Sequence, residues 1–232
     1  MSTILRLSHP ASLNKFYHVP ADRTHWQDGD YRKLKTAGWT PARAPASFGC
    51  QTAALQKNSA VGLERQYGIY VLGFTVPSPA LYVGIAARSR VPEGIDTRLR
   101  KHRIKVTGSH VGSAPDRSGV NHTRQWREFA PERYRHFATT GCYDDLDDAM
   151  LLTGDIEGLE DIGDHKKVCE YFEHMLVNDV RYFEILTRAL LGVAADEVFR
   201  LNSGKGGRGQ TPAVPGIDFW GSSTEWISGQ LP

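Results

Sequence analysis

The run "GIYVLGFTVPSPALYVGIA", residues 68–86, constrains this chain more than any other stretch. It holds two apolar segments rich in β-branched and aromatic residues, each with a tyrosine beside a glycine. "GIYVLGFTV" predicts a strand and "LYVGIA" (81–86) its return. Between them lies "PSPA" (77–80), where two prolines cannot donate to a ladder and so mark a turn. So short a connection fixes an antiparallel hairpin. Tyr70 and Tyr82 therefore stand on neighbouring strands.

The segments around the hairpin are uneven. Residues 1–60 read as an irregular arm rich in Trp, His, Arg and Pro, with Pro41 and Pro45 flanking a small-residue stretch. After a loop, "ARSRVPEG", a helix is expected from about Ile95 to Val106, with Asp96 favouring its positive end and Gly108 ending it. Residues 107–126 read as a polar loop, and "RYRHFATTGCY" as a third strand. The acidic run 144–164 reads as a solvated surface. A long helical pattern follows from His165, broken near Asn178, and residues 203–232 read as a loop-rich tail. The expected division is an arm (1–60), a central domain (61–202) and a tail (203–232).

No apolar run approaches the ~20 residues of a membrane span, and the first residues lack a signal-like stretch, so a cytoplasmic protein is expected. Cys50, Cys142 and Cys169 are odd in number and form no CxxC pair, which argues against structural zinc or a disulfide framework. The net charge is +2, but residues 1–143 carry 21 Lys/Arg against 9 Asp/Glu, and residues 144–232 carry 7 against 17. A basic half suits a phosphate-bearing partner.

On the helix expected at 95–106, Ile95, Leu99 and Val106 share one face at ~100° per residue. Arg98 and His102, four apart, border that face, while Arg100 and Lys101 point away. On the later helix, Val168, Phe172, Met175 and Leu176 form the buried stripe. Glu173 sits at its margin and Glu170 on the polar side. Two strand tyrosines, an arginine, a histidine and a marginal glutamate suit phosphodiester hydrolysis. Arg matches phosphate oxygens bidentately. Mg²⁺ needs only one or two carboxylates besides water and phosphate. A Tyr hydroxyl, with pKa ~10, becomes a base only where nearby cations favour the phenolate.

These elements resemble the GIY-YIG nuclease superfamily: GIY at 68–70, YVG at 82–84, "RLRKH" at 98–102 and "EHMLV" at 173–177. The resemblance covers about residues 66–178. It implies an α+β fold, a small three-stranded antiparallel sheet flanked by helices, here with an N-terminal arm and a C-terminal extension. It also implies a DNA endonuclease using Mg²⁺ or Mn²⁺. Tyr70 or Tyr82 would act on the attacking water, with Tyr70 preferred as general base. Arg98 would hold the scissile phosphate, His102 would support base or phosphate, and Glu173 would be the single protein ligand of the metal. The family's asparagine does not fall at its usual spacing, where Ile185 stands. Asn202 could take the role after an inserted helix, or Asn178 if the helix breaks there.

The short acidic C-terminal part is unlike the DNA-binding tail of homing enzymes, and repair subunits are much longer. The compact chain with inserted loops resembles the type II restriction branch, which implies double-stranded DNA as partner and a homodimer on it. A nonspecific or structure-selective nuclease and an inactive DNA-binding module are the alternatives. Candidate DNA contacts are Arg88 and Arg90 in the loop after the hairpin, Lys101, His122 and Arg124 in "NHTRQWR", and Lys205 and Arg208 in "GKGGRG".

Overall fold

A computed structural model describes residues 3–18, 56–57, 63, 66–88, 94–101, 125–126, 128–129, 132–133, 146–158, 164–202 and 209–220, with the backbone alone at 18, 56, 57, 100 and 101. Its strands are β1 (Thr3–Leu7), β2 (Ala11–Ser12), β3 (Tyr17–His18), β4 (Gln56–Lys57), β5 (Gly68–Phe74), β6 (Ala80–Ala86), β7 (Ala149–Glu157), β8 (Phe199–Arg200) and β9 (Pro215–Phe219). Its α-helices are α1 (Ile95–Lys101), α2 (His165–Asn178) and α3 (Val180–Leu191). Among the described residues no helix is long and apolar enough to cross a membrane.

The expected hairpin is present. β5 and β6 pair antiparallel, with Tyr70 opposite Gly84 and Leu72 opposite Tyr82. Opposed residues share a face, so Tyr70 and Tyr82 lie diagonally on the same side of the sheet. Ile69 and Val71 point to the other side. There they join Leu81, Val83 and Leu152 in a core against Val168, Phe172 and Leu176 of α2 and Phe183 and Leu186 of α3. The helical pattern breaks where the sequence predicts. Asp179 caps both helices, its backbone N–H donating to Met175 O and its carboxylate accepting from Arg181 N at 3.0 Å.

The sheet itself differs from expectation. Instead of a small three-stranded antiparallel sheet, seven strands form a strongly curled mixed sheet in the order β8-β6-β5-β7-β1-β9, with β2 beside β7. β1 runs antiparallel to β7 and parallel to β9, and β6 runs parallel to β8. β1, β2, β7 and β9 come from segments read as arm, acidic surface and tail, and β8 from the end of the expected central domain. In "TILRL", Thr3, Leu5 and Leu7 are buried while Ile4 and Arg6 turn outward, a period-two pattern only five residues long. β9 buries Ile217 and Phe219 in the same way. In β7, Ala149, Leu151, Leu152 and Ile156 are buried, so the acids of this run project from a strand with an apolar inner side. Of the segment read as the third strand, 133–143, only Arg133 is among the described residues, and it is helical; 134–143 lie outside them, as do 102–106 of the expected first helix.

The chain divides into two compact units. One takes residues 1–11, 62–98 and 150–232, and with them the hairpin, α2 and α3. In it the first turn of α1 is tied to the residues before β5: Ile95 N–H donates to Gln66 O at 2.9 Å and Asp96 N–H to Leu63 O at 3.3 Å. That tether sets where Arg98 projects. The other unit takes residues 12–61 and 99–149. There β3 pairs antiparallel with β4. The buried Arg133 is held bidentately by Asp148, and Asn14 bonds the Asp147 side chain and the Leu146 N–H.

Candidate active site

Two glycines explain why tyrosines and glycines alternate in the hairpin. The Tyr70 ring lies directly across Gly84, and a Cβ there would collide with the ring and its hydroxyl. Gly68 has a φ of +136°, and a Cβ on it would strike the Gly154 carbonyl of β7. GIY and YVG are thus linked sterically: the tyrosine of the first needs the glycine of the second.

The buried Tyr70 and half-buried Tyr82 stand with ring centroids 6.2 Å apart. The Arg98 guanidinium donates to the Tyr70 oxygen, and the hydrogen-bonded chain continues from Tyr70 to Tyr82. Burial raises the Tyr70 hydroxyl well above its ordinary value, helped by Tyr82 and opposed by Arg98. Tyr82 is pushed up to about 12 by burial and by the Glu173 charge, again against Arg98. Arg98 therefore acts in the direction expected from the sequence, but desolvation outweighs it and both hydroxyls keep their protons at neutral pH. Tyr82 is the more exposed of the two residues.

Glu173 projects from α2 beside Arg98 and Tyr82, at the margin of the helix's buried stripe. Burial pushes its carboxyl up to about 7, reinforced by Glu170 and opposed by Arg98. Glu170 is itself ion-paired with Lys166 at 3.6 Å. Asn202 is the link to the hairpin. Its Oδ1 accepts from Val83 N–H at 2.8 Å and its Nδ2 donates to Val83 O at 2.7 Å. Nδ2 also donates to Glu173 Oε1 at 3.2 Å. The side-chain amide continues the parallel β6–β8 ladder by one step past Leu201, whose N–H donates to Leu81 O. Asn178, the other candidate, is exposed and bonded to His174 O at 2.9 Å; its side-chain bonds run along α2 and none reaches Glu173.

Tyr70, Tyr82, Arg98, Glu173 and Asn202 thus converge within one unit. His102, Arg90, His122, Arg124, Lys205 and Arg208 lie outside the described residues, as does the side chain of Lys101. Arg88 is exposed and lies over the Tyr67 ring, 5.2 Å from its centroid. The sequence reading missed His165, whose Nδ1 accepts from Arg88 N–H at 3.1 Å and so ties the end of β6 to the start of α2. Its only signal is its place just after the capping Asp164.

The cluster's donor set suits a hard divalent cation. Glu173 commits one oxygen to Asn202 and keeps the other. Among the described residues no group of three or more His, Cys, Asp or Glu could hold a metal. A cation held by Glu173 would complete its shell with water and phosphate, which is how Mg²⁺ is commonly held. Cys169, buried and raised to about 12 chiefly by burial, is not a ligand candidate. No family model, curated protein or solved structure matches the chain.

Proposed function

We propose that this chain is a divalent-metal-dependent DNA endonuclease of the GIY-YIG type, acting as a sequence-specific type II restriction enzyme. The observation that supports it is the meeting of Tyr70, Tyr82, Arg98, Glu173 and Asn202, from four separated stretches of sequence, at one place: Arg98, Tyr70 and Tyr82 form a hydrogen-bonded chain, and Glu173, bonded to Asn202, lies close enough for its charge to act on Tyr82. The reading rests on these side chains and not on the sheet.

Arg98 binds the scissile phosphate through the face of its guanidinium fork not given to Tyr70. Tyr82 takes a proton from the attacking water as it passes its own to a phosphate oxygen, the new bond to phosphorus forms as the bond to the 3′ oxygen breaks, and Tyr70 fixes the Tyr82 hydroxyl in place. Glu173, steadied by Asn202, is the residue that would hold the cation. A bound Mg²⁺ or Mn²⁺ would stabilise the leaving 3′ oxygen as a Lewis acid and offset the Glu173 charge that raises Tyr82. One such cluster cuts one strand, so cutting both strands of double-stranded DNA takes a homodimer. A restriction role places the protein in the cytoplasm with the DNA it destroys.

Purified protein incubated with plasmid and phage DNA, with Mg²⁺ or with EDTA, tests the reading directly. Discrete Mg²⁺-dependent bands are expected. A smear or nicked circles would replace the restriction role with a nonspecific or structure-selective one, and DNA binding without cutting in any metal would make the chain a binding module. Arg98→Lys should lower the cleavage rate by at least ~10²-fold with folding intact, because a point charge cannot serve Tyr70 and phosphate together. Single-turnover kinetics with a circular dichroism control check this.

A further inference from the structure

A second polar cleft, of about 530 Å³, opens near the start of β5. Its size falls within the roughly 300–1,000 Å³ of small-ligand sites. Gln66, Tyr67, Arg88, Asp155, His9 and Trp220 line it. Three of these are rings. His9 meets Trp220 edge-on at 6.4 Å, and Tyr67 lies under the Arg88 guanidinium. Trp220 has a φ of 64°, a conformation that costs a bulky residue about 1 kcal/mol or more and that clusters at functional sites. Its backbone N–H donates to Leu7 O at 2.6 Å, which fixes it there.

The polar groups divide sharply. Arg6, also on the wall, is neutralised by Glu157 and Asp218 at 2.7 and 2.6 Å. Among the described residues, the Gln66 amide and the Arg88 guanidinium make no hydrogen bond or ion pair. Aromatic and guanidinium planes beside an uncommitted amide and a carboxylate are what an unstacked nucleobase uses. The planes stack on its faces, and the amide and carboxylate meet its edge.

We propose that this cleft receives one unstacked nucleotide of the DNA substrate, its base against the wall that carries Tyr67 and Trp220, the latter backed by Phe219 at 5.0 Å, and its edge at Gln66 and Asp155. This rests on the nuclease reading. Extruding a base costs its pairing and stacking, and costs least at a mismatch. The enzyme would therefore bind a duplex more tightly when the pair at that one position is mismatched.

The test uses the full chain in EDTA. The probes are duplex oligonucleotides carrying the mapped cut site and a single mismatch walked over three pairs on either side. The expected result is one position where the mismatch tightens binding about tenfold. The gain should fall to less than threefold in Arg88→Ala and in Gln66→Ala, both exposed positions chosen in case Trp220→Ala fails to fold. Sequence-specific cutting with no mismatch gain at any position, or an equal gain in both variants, overturns the cleft and leaves the nuclease reading standing. A chain that neither binds nor cuts duplex DNA overturns both.

Discussion

Glu173→Gln should abolish Mg²⁺-dependent cleavage, lowering the single-turnover rate by at least ~10³-fold, while DNA affinity in EDTA stays within about threefold of wild type. The amide retains an oxygen that can accept from Asn202 and loses only the charge that a cation requires. The same variant should be more stable than wild type in alkaline solution. The Glu173 carboxyl lies at about 7 in the fold against an ordinary 4.5. Between those values the folded chain holds a proton that the unfolded chain has released, so wild-type stability falls as pH rises from about 4.5 through 7. The loss above pH 7 is on the order of 3 kcal/mol, and the glutamine variant escapes it. Urea denaturation at pH 5 and pH 8 measures the difference. Added Mg²⁺ should raise the Tm of wild type at pH 8 and leave the variant unmoved. A variant that cuts at the wild-type rate would remove Glu173 from the metal site.

Gly84→Ala should be nearly as damaging by another route. The added methyl would occupy the space of the Tyr70 ring, and Tyr70 is fully buried with Arg98 on its oxygen. The ring cannot swing outward without breaking that bond, so either the strand shifts or the tyrosine leaves its place. A destabilisation of about 1–3 kcal/mol is expected from overpacking, together with loss of cleavage even in molecules that fold. Combining Gly84→Ala with Tyr70→Ala separates the causes. Once the ring is gone the methyl meets no obstacle there, so the two stability losses should be strongly non-additive. Additive losses would show that the ring and the glycine do not share that space.

The hairpin, the helix break at Asp179 and the Tyr70, Tyr82, Arg98 and Glu173 positions were legible because each rests on local chemistry: alternation, proline turns, a capping acid and helical spacing. The sheet was not. β1 and β9 are five residues each, and what makes them strands is their pairing, residue 3 with residue 215, which no window along the sequence contains. β7 was hidden by its acids, whose charge drew attention from the inward residues Leu151, Leu152 and Ile156. Asn202 was legible only as one of two asparagines, because its selection depends on β8 carrying it alongside Val83. The tyrosine protonation state was misjudged for a similar reason. The sequence displays the cation beside Tyr70 and conceals the burial that outweighs it.

The position of Asn202 late in the chain also governs timing. Ribosomes deliver residues at roughly 5–20 per second, N-terminal segments first. The hairpin and the helix bearing Glu173 emerge before the amide that bridges them, and β9, the outer neighbour of β1, emerges later still. A nascent chain therefore carries its tyrosines, arginine and glutamate for some seconds without the piece that joins them. On the nuclease reading proposed above, the chain would in this way be born inert, and become competent only once β8 and β9 have been made.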